Sequence, residues 1–116
     1  MHAKKILIVE DNYLVAESLS EVMASSGFAV VGPAATADLA ERLIDRESLD
    51  GALLDVRLRK GSAARLAKIL RELSIPFVVV TGSSRNMLPP ELKKAPYVAK
   101  PLDDAVLIEA VRRTFN

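Results

Sequence analysis

The chain has 116 residues, half of them hydrophobic, which suffices for one domain with a buried core. The absence of cysteine excludes disulfides, thiolate metal sites and cysteine nucleophiles, and it is consistent with a reducing, cytoplasmic location. The 16 Lys and Arg residues nearly balance the 15 Asp and Glu residues, so the net charge of +1 supplies no general attraction to nucleic acid or membranes.

Basic residues nonetheless crowd the middle of the chain, where a solvated helix face and its leading loop explain them better than a nucleic-acid patch. No apolar segment approaches the roughly 18 residues of a membrane span, and the N-terminus carries no export signal. The one histidine, His2, is expected in an N-terminal tail rather than in a site. The basic residues that crowd the middle of the chain are Arg57, Arg59, Lys60, Arg65, Lys68 and Arg71.

The first predicted strand, Lys5–Val9, contains four consecutive apolar residues and leads directly into two carboxylates, Glu10 and Asp11. An unbroken apolar run of this length is typical of a strand that is buried on both faces of a parallel sheet. Apolar residues then recur at helical spacing from Leu14 to Met23, and Gly27 is placed as a helix C-cap.

A second short strand is predicted over Phe28–Val31 and is expected to stop at Gly32-Pro33. Thr36 is the predicted N-cap of a second helix. The third strand, Gly51–Leu54, ends in Asp55. These elements continue the alternation of strand and helix that an α/β sheet requires.

Ser62 is the predicted N-cap of a third helix, and the β-prone run Phe77–Val80 is the fourth strand, which ends in Thr81. The segment that follows has little periodicity, so it is expected to be loop with a short helix near Pro90.

Tyr97–Ala99 forms the last predicted strand, which ends in Lys100, and Asp103 caps the final predicted helix. The order of elements predicts a single domain over residues 1–116, built as a doubly wound, five-stranded parallel sheet with helices on both faces.

Polar groups stand at the ends of the strands: Glu10 and Asp11 after the first, Asp55 at the third, Thr81 at the fourth and Lys100 at the fifth. Each alone is more often a turn or surface residue. Because parallel strands end at one edge of the sheet, the set together predicts a cluster of acids around Mg²⁺, with Mn²⁺ as a substitute. A metal, an ammonium, a hydroxyl and a carboxylate nucleophile suit phosphoryl transfer to an aspartate.

This ordered set resembles the receiver domain of two-component response regulators, a flavodoxin-like fold with strand order 2-1-3-4-5. The resemblance covers essentially the whole chain. The motifs that carry it are Ile6–Asp11, Leu53–Asp55, Val79–Gly82 and Tyr97–Pro101.

The resemblance implies that Asp55 accepts a phosphoryl group from a phosphohistidine of a sensor kinase or of a histidine phosphotransfer protein. It also implies that Glu10, Asp11, Asp55 and the backbone carbonyl of Arg57 hold Mg²⁺, and that Lys100 contacts the phosphoryl group.

In such domains Thr81 and Tyr97 would form the switch that answers phosphorylation, and Arg57 and Ser83 would flank the phosphoryl group. The resemblance further implies a cis peptide between Lys100 and Pro101.

The chain departs from the family pattern between the fourth and fifth strands. Ala95-Pro96 stands before Tyr97, and the segment is short and interrupted by proline, so the fourth helix is expected to be short or mobile. Pro76–Gly82 partly resembles the Pro-Phe-x-Phe-Ala-Thr-Gly variant of a subgroup of single-domain receivers.

The leading hypothesis is therefore a phospho-accepting signalling module without an output domain, which acts on an unknown downstream protein or serves as a phosphate shuttle or sink. The module is expected to be a monomer or a phosphorylation-dependent dimer. It is not expected to be an enzyme, and Mg²⁺-dependent self-phosphorylation and self-dephosphorylation are the most that it would catalyse. One alternative is a docking scaffold that does not use phosphate. A small phosphohydrolase fits poorly, because such enzymes need an acid at the position of Arg57.

Overall fold

The computed structural model describes residues 3–58 and 61–115, which form one five-stranded sheet with strand order 2-1-3-4-5. All neighbouring strands are parallel, so their carboxyl ends lie along one edge and the predicted flavodoxin-like topology is confirmed. The predictions for His2, Arg59 and Lys60 fall outside the described residues. The strands are β1 (Lys5–Val9), β2 (Ala29–Ala34), β3 (Gly51–Asp55), β4 (Phe77–Thr81) and β5 (Tyr97–Ala99).

The described residues also form four α-helices, and side chains at their N-termini cap all four, which confirms the caps predicted for the last three. Such a cap stabilises a helix by about 1 kcal/mol. None of these helices combines the length and the apolar composition that crossing a bilayer requires. The helices and their caps are α1 (Tyr13–Ser25) with Asn12, α2 (Ala37–Arg46) with Thr36, α3 (Ala63–Glu72) with Ser62, and α4 (Asp104–Phe115) with Asp103.

The apolar run of β1 is buried because both of its faces are covered. Leu7 and Val9 pack into the core beneath α2 and α3, whereas Ile6 and Ile8 pack into the core beneath α1 and α4. Burying one such side chain stabilises the fold by roughly 1.5–3 kcal/mol. Packing on both faces of the sheet therefore fixes the position of Glu10, the residue that follows β1.

The prediction that β2 stops at Gly32-Pro33 is wrong, because the strand continues to Ala34. Gly32 adopts φ +94° and the peptide to Pro33 is cis, and the pairing with β1 shifts register there. The irregularity therefore lies inside the strand as a bulge rather than at its end. Beyond the bulge, the carbonyl of Ala34 accepts a hydrogen bond from the backbone N–H of Glu10 at 3.0 Å.

Two 3₁₀ turns, Arg85–Met87 and Pro90–Leu92, stand where the sequence predicted a short fourth helix between β4 and β5. Pro89 and Pro90 supply no N–H groups, which prevents a longer helical hydrogen-bond ladder. Leu88 and Leu92 are nevertheless buried against the same core as α2 and α3. The segment is thus short but packed onto the domain.

Ser74, which follows α3, is the one non-glycine residue with positive φ (58°) in the described ranges. A left-handed conformation costs a residue with a Cβ roughly 1–2 kcal/mol, and glycine avoids that cost. We expect Ser74→Gly to raise the free energy of unfolding by about 0.5–1 kcal/mol in urea denaturation. The matched control is Ser26→Gly, at φ −89°, which should not stabilise the protein. Equal effects of the two substitutions would contradict this account.

Candidate functional site

Three carboxylates meet at the carboxyl edge of the sheet because the strands that carry them are neighbours. Glu10 and Asp11 follow β1, Asp55 ends β3, and Val9 pairs directly with Leu54. One oxygen from each of the three carboxylates lies within 4.8 Å of the others. Glu10 and Asp55 are buried, 2% and 4% exposed, and Asp11 is partly buried. The sheet thus brings together the three acids that the sequence singled out.

The backbone and a neighbouring amide hold Glu10 in place. Its Oε2 accepts a hydrogen bond from the backbone N–H of Asn12 at 3.1 Å. Its Oε1 is buried and lies 2.9 Å from the Nζ of Lys100. This ion pair uses only part of the acceptor capacity of the carboxylate, which leaves lone pairs for a further cation.

Lys100 brings the cation of the cluster from the far edge of the sheet. Its backbone N–H donates to the carbonyl of Thr81 at 2.8 Å, and its peptide bond to Pro101 is cis. Its Nζ lies 2.9 Å from Glu10 and 3.6 Å from an oxygen of Asp55. The ammonium therefore stands between two buried carboxylates and neutralises part of their charge.

The donor set fits a magnesium ion. Ligands at about 2.1 Å in an octahedron lie at most about 4.2 Å apart, so oxygens within 4.8 Å need only a small inward movement. The three oxygens are hard carboxylate ligands of the kind that Mg²⁺ prefers. Glu10, Asp11 and Asp55 are the residues that could hold the metal. The contribution of the Arg57 carbonyl remains a prediction.

Burial raises the pKa of Glu10 above its ordinary value of 4.5. The ammonium of Lys100 and the amide of Asn12 oppose this rise, and the neighbouring carboxylate of Asp55 adds to it. The site therefore disfavours the ionised form of Glu10, a condition that a bound cation relieves.

This shift predicts a pH dependence of stability in the absence of divalent ions. The folded state binds the Glu10 proton more tightly than the unfolded chain, so its contribution is complete below pH 4.5 and is lost as pH rises through the folded-state pKa. In urea denaturation with a chelator, Glu10→Gln should gain stability relative to wild type as pH rises above 4.5. Glu17→Gln, on the exposed surface of α1, is the control. If the difference in unfolding free energy between wild type and Glu10→Gln stays constant with pH, the prediction is contradicted.

A chain of hydrogen bonds runs from the buried end of β4 to the aromatic residue of β5. Thr81 is fully buried, and its Oγ1 accepts a hydrogen bond from the N–H of Ser83 at 3.1 Å. The carbonyl of Ser83 in turn accepts a hydrogen bond from the Tyr97 hydroxyl at 2.5 Å. A movement of the loop at Ser83 would therefore act on Thr81 and Tyr97 together.

Arg85 holds the outer side of the same loop. Its guanidinium lies 4.9 Å from the centroid of the Tyr97 ring and donates to the carbonyls of Lys93 and Ala95 at 2.7 and 3.1 Å. Sequence reasoning missed this residue, because the segment around it has no periodicity that would place its side chain. Arg85 ties the two 3₁₀ turns to Tyr97.

The sequence also provided no indication of the backbone groups that orient Glu10, and Arg57 is exposed whereas Glu10 and Asp55 are buried. The N–H of Asn12 and the carbonyl of Ala34 orient Glu10, and backbone groups leave no side-chain signal in a sequence. Arg57 is exposed, and its backbone N–H donates to Asp55 at 3.3 Å. This contact with Asp55 is made by the backbone of Arg57 and not by its side chain.

Known proteins match this chain over most of its length. The sequence model of the response regulator receiver domain matches residues 6–112. A response regulator receiver protein of Anaeromyxobacter sp. (strain Fw109-5) is 36% identical over 107 residues, a match that covers 90% of this chain and 43% of that protein. The transcriptional regulatory protein PdtaR of Mycobacterium tuberculosis is 28% identical over 93% of this chain and 55% of its own length. The chain thus spans about half the length of these relatives.

Solved structures agree with the sheet topology. The solution structure of SdrG from Sphingomonas melonis Fr1 is 30% identical, with a TM-score of 0.84 over 97% of each chain. A CheY-like receiver domain from Methylobacillus flagellatus is 28% identical, with a TM-score of 0.82 over 97% of this chain and 98% of that one. Both superpose along nearly their whole length on the domain described above.

Proposed function

The chain belongs to the response regulator receiver domain family of two-component signalling, and from this membership we propose that Asp55 is its phosphoryl acceptor. Receiver domains of this family interact with histidine kinases. The observation that carries the proposal is the cluster of Glu10, Asp11 and Asp55 with the ammonium of Lys100 beside it.

The proposed step is attack of an Asp55 carboxylate oxygen on the phosphorus of a phosphohistidine. The new O–P bond forms as the N–P bond breaks, and the imidazole nitrogen keeps the electron pair of that bond. Mg²⁺, when bound by Glu10, Asp11 and Asp55, supplies charge neutralisation for the transferred group. Lys100 supplies a second positive charge, 3.6 Å from the carboxylate that would carry the phosphoryl group.

We further propose that Thr81 and Tyr97 form the switch. The Thr81 hydroxyl would leave its contact with Ser83 to donate to a phosphoryl oxygen, which would disturb the bond between Ser83 and the Tyr97 hydroxyl. Arg85, stacked on the Tyr97 ring, would then lose its platform and loosen the 3₁₀ turns. The loop from residue 83 to residue 96 is therefore the element that phosphorylation would bias.

The proposed partners are a sensor histidine kinase or a histidine phosphotransfer protein on the input side and an unidentified protein on the output side. The partial match of Pro76–Gly82 to the single-domain subgroup supports action by partner binding or as a phosphate shuttle or sink. Phosphorylation would leave the domain monomeric or drive it to dimerise. Self-phosphorylation and self-dephosphorylation are the most chemistry that this site would perform unaided.

The proposal is tested by incubating the protein with acetyl phosphate and Mg²⁺ and measuring its intact mass. Wild type should gain the mass of one phosphoryl group, and the gain should vanish with a chelator. Asp55→Asn should gain nothing, whereas Asp45→Asn, on the exposed surface of α2, should behave as wild type. An unmodified wild-type protein would favour a docking scaffold that works without phosphate, and an equal gain in Asp55→Asn would refute the assignment of the acceptor.

A further inference from the structure

A groove with a cavity volume of about 790 Å³ lies at the end of the sheet opposite to the acidic cluster. Its floor is formed where the chain enters β4 and β5, at Pro76, Phe77 and Pro96. Because these residues precede or begin their strands, the groove is at the amino edge of the sheet, away from Asp55. It plays no part in the phosphoryl chemistry proposed above.

The walls of the groove combine rigid apolar surface with positive charge. Pro76, Pro90 and Pro96 present ring carbons and no N–H groups, so these positions offer no backbone donors to a ligand. Arg71 and Lys94 supply the charge, and none of the described residues that line the groove is acidic. The groove therefore matches a ligand with apolar groups beside negative ones.

Arg71 makes two contacts that orient its guanidinium at the groove. Its guanidinium lies 5.3 Å from the centroid of the Phe77 ring, and its Nη2 donates to the carbonyl of Glu91. These two contacts use only a fraction of its five N–H donors. The free donors form a fork that a carboxylate can accept in bidentate fashion.

Lys94 adds a second positive charge to the lining of the groove and makes no ion pair with any described residue. Two cations beside apolar surface favour a ligand with more than one negative group. The groove is open to solvent, whereas pockets for small molecules usually enclose most of the ligand. An extended peptide satisfies both conditions.

We propose that this groove binds an extended acidic peptide of a partner protein, with a carboxylate on Arg71, a second on Lys94, and proline or aliphatic side chains on the floor. The interaction does not require phosphorylation of Asp55. It would give the domain a constant docking point for a partner, at the end of the sheet opposite to the one that titrates and binds metal.

The test is selection of short randomised peptides displayed on phage against the unphosphorylated protein. We expect enrichment of peptides that carry Asp or Glu beside Leu, Ile or Pro. Their affinity should fall at least about tenfold in Arg71→Gln and in Lys94→Gln, the loss typical of one charge-assisted contact. Raising the salt concentration should weaken the binding further.

Lys68→Gln, which removes an exposed charge of α3 outside the groove, is the control and should leave the affinity unchanged. Arg71→Gln removes two contacts within the domain and could therefore impair folding. Lys94→Gln breaks no described contact, so it tests the groove even if Arg71→Gln does not fold. Enrichment of peptides without acidic residues, or equal binding by all variants, would overturn the proposal.

Discussion

Asp55→Asn is expected to make the metal-free protein more stable while it abolishes phosphorylation. The carboxylates of Asp55 and Glu10 repel each other, as the rise that Asp55 causes in the pKa of Glu10 indicates. Neutralising Asp55 removes this repulsion and leaves the closer ion pair, Lys100 with Glu10 at 2.9 Å, intact. The lost attraction between Lys100 and Asp55 acts across 3.6 Å and offsets only part of the gain. We expect an increase in unfolding free energy of about 1 kcal/mol.

The measurement is urea denaturation in the presence of a chelator, paired with the intact-mass assay on the same preparations. Asp45→Asn removes an equivalent charge from the exposed face of α2 and should change stability by less than about 0.5 kcal/mol. Adding Mg²⁺ should raise the stability of wild type more than that of Asp55→Asn, because the variant has lost one ligand. A variant that is less stable than wild type without metal would show that the acids do not repel one another.

Lys100→Met should have the opposite effect on stability. The substitution keeps the apolar stem of the side chain and removes the charge that neutralises Glu10. Glu10 would then be buried beside Asp55 without its cation, and its pKa should rise further. Removing one partner of a fully buried pair costs about 3–5 kcal/mol. Because 24% of the Lys100 side chain is exposed, we expect a loss nearer to about 2 kcal/mol.

A divalent ion should recover part of this loss, since it would replace the missing positive charge. The stabilisation that Mg²⁺ produces in urea denaturation should therefore be larger in Lys100→Met than in wild type. Phosphorylation by acetyl phosphate should slow by about 100-fold, the effect of removing one group that stabilises transferred charge. Lys68→Met, on the exposed side of α3, is the control. If Lys100→Met has the stability and the phosphorylation rate of wild type, Lys100 has no role in the site.

The sheet and the acidic cluster could be predicted from the sequence because both follow from simple rules. Apolar runs such as Ile6–Val9 identify strands buried on two faces, and parallel strands bring the residues at their carboxyl ends to one edge. The positions of Glu10, Asp55 and Lys100 follow once the order of strands is known. Side-chain caps such as Asp103 could be predicted for a similar reason, since capping is local in sequence.

The remaining features depend on contacts that no local pattern encodes. Gly32-Pro33 signals a break, yet tertiary pairing with β1 carries β2 through it to Ala34. Arg85 lies in a segment without periodicity, so its stacking on Tyr97 is visible only when the two 3₁₀ turns are folded against the sheet. The preference of Lys100 for Glu10 over Asp55 is a difference between 2.9 and 3.6 Å, which sequence spacing cannot supply.

The central claim is that Glu10, Asp11 and Asp55 share one divalent ion at the carboxyl edge of the sheet. A titration of the ¹⁵N-labelled protein with Mg²⁺, followed by amide chemical shifts, tests it most directly. We expect saturable shifts at these three residues and at their hydrogen-bonded neighbours Asn12 and Arg57, with the shifts lost in Asp11→Asn. Amides at this edge that stay unchanged, or shifts that are equally large in Asp11→Asn, would contradict it.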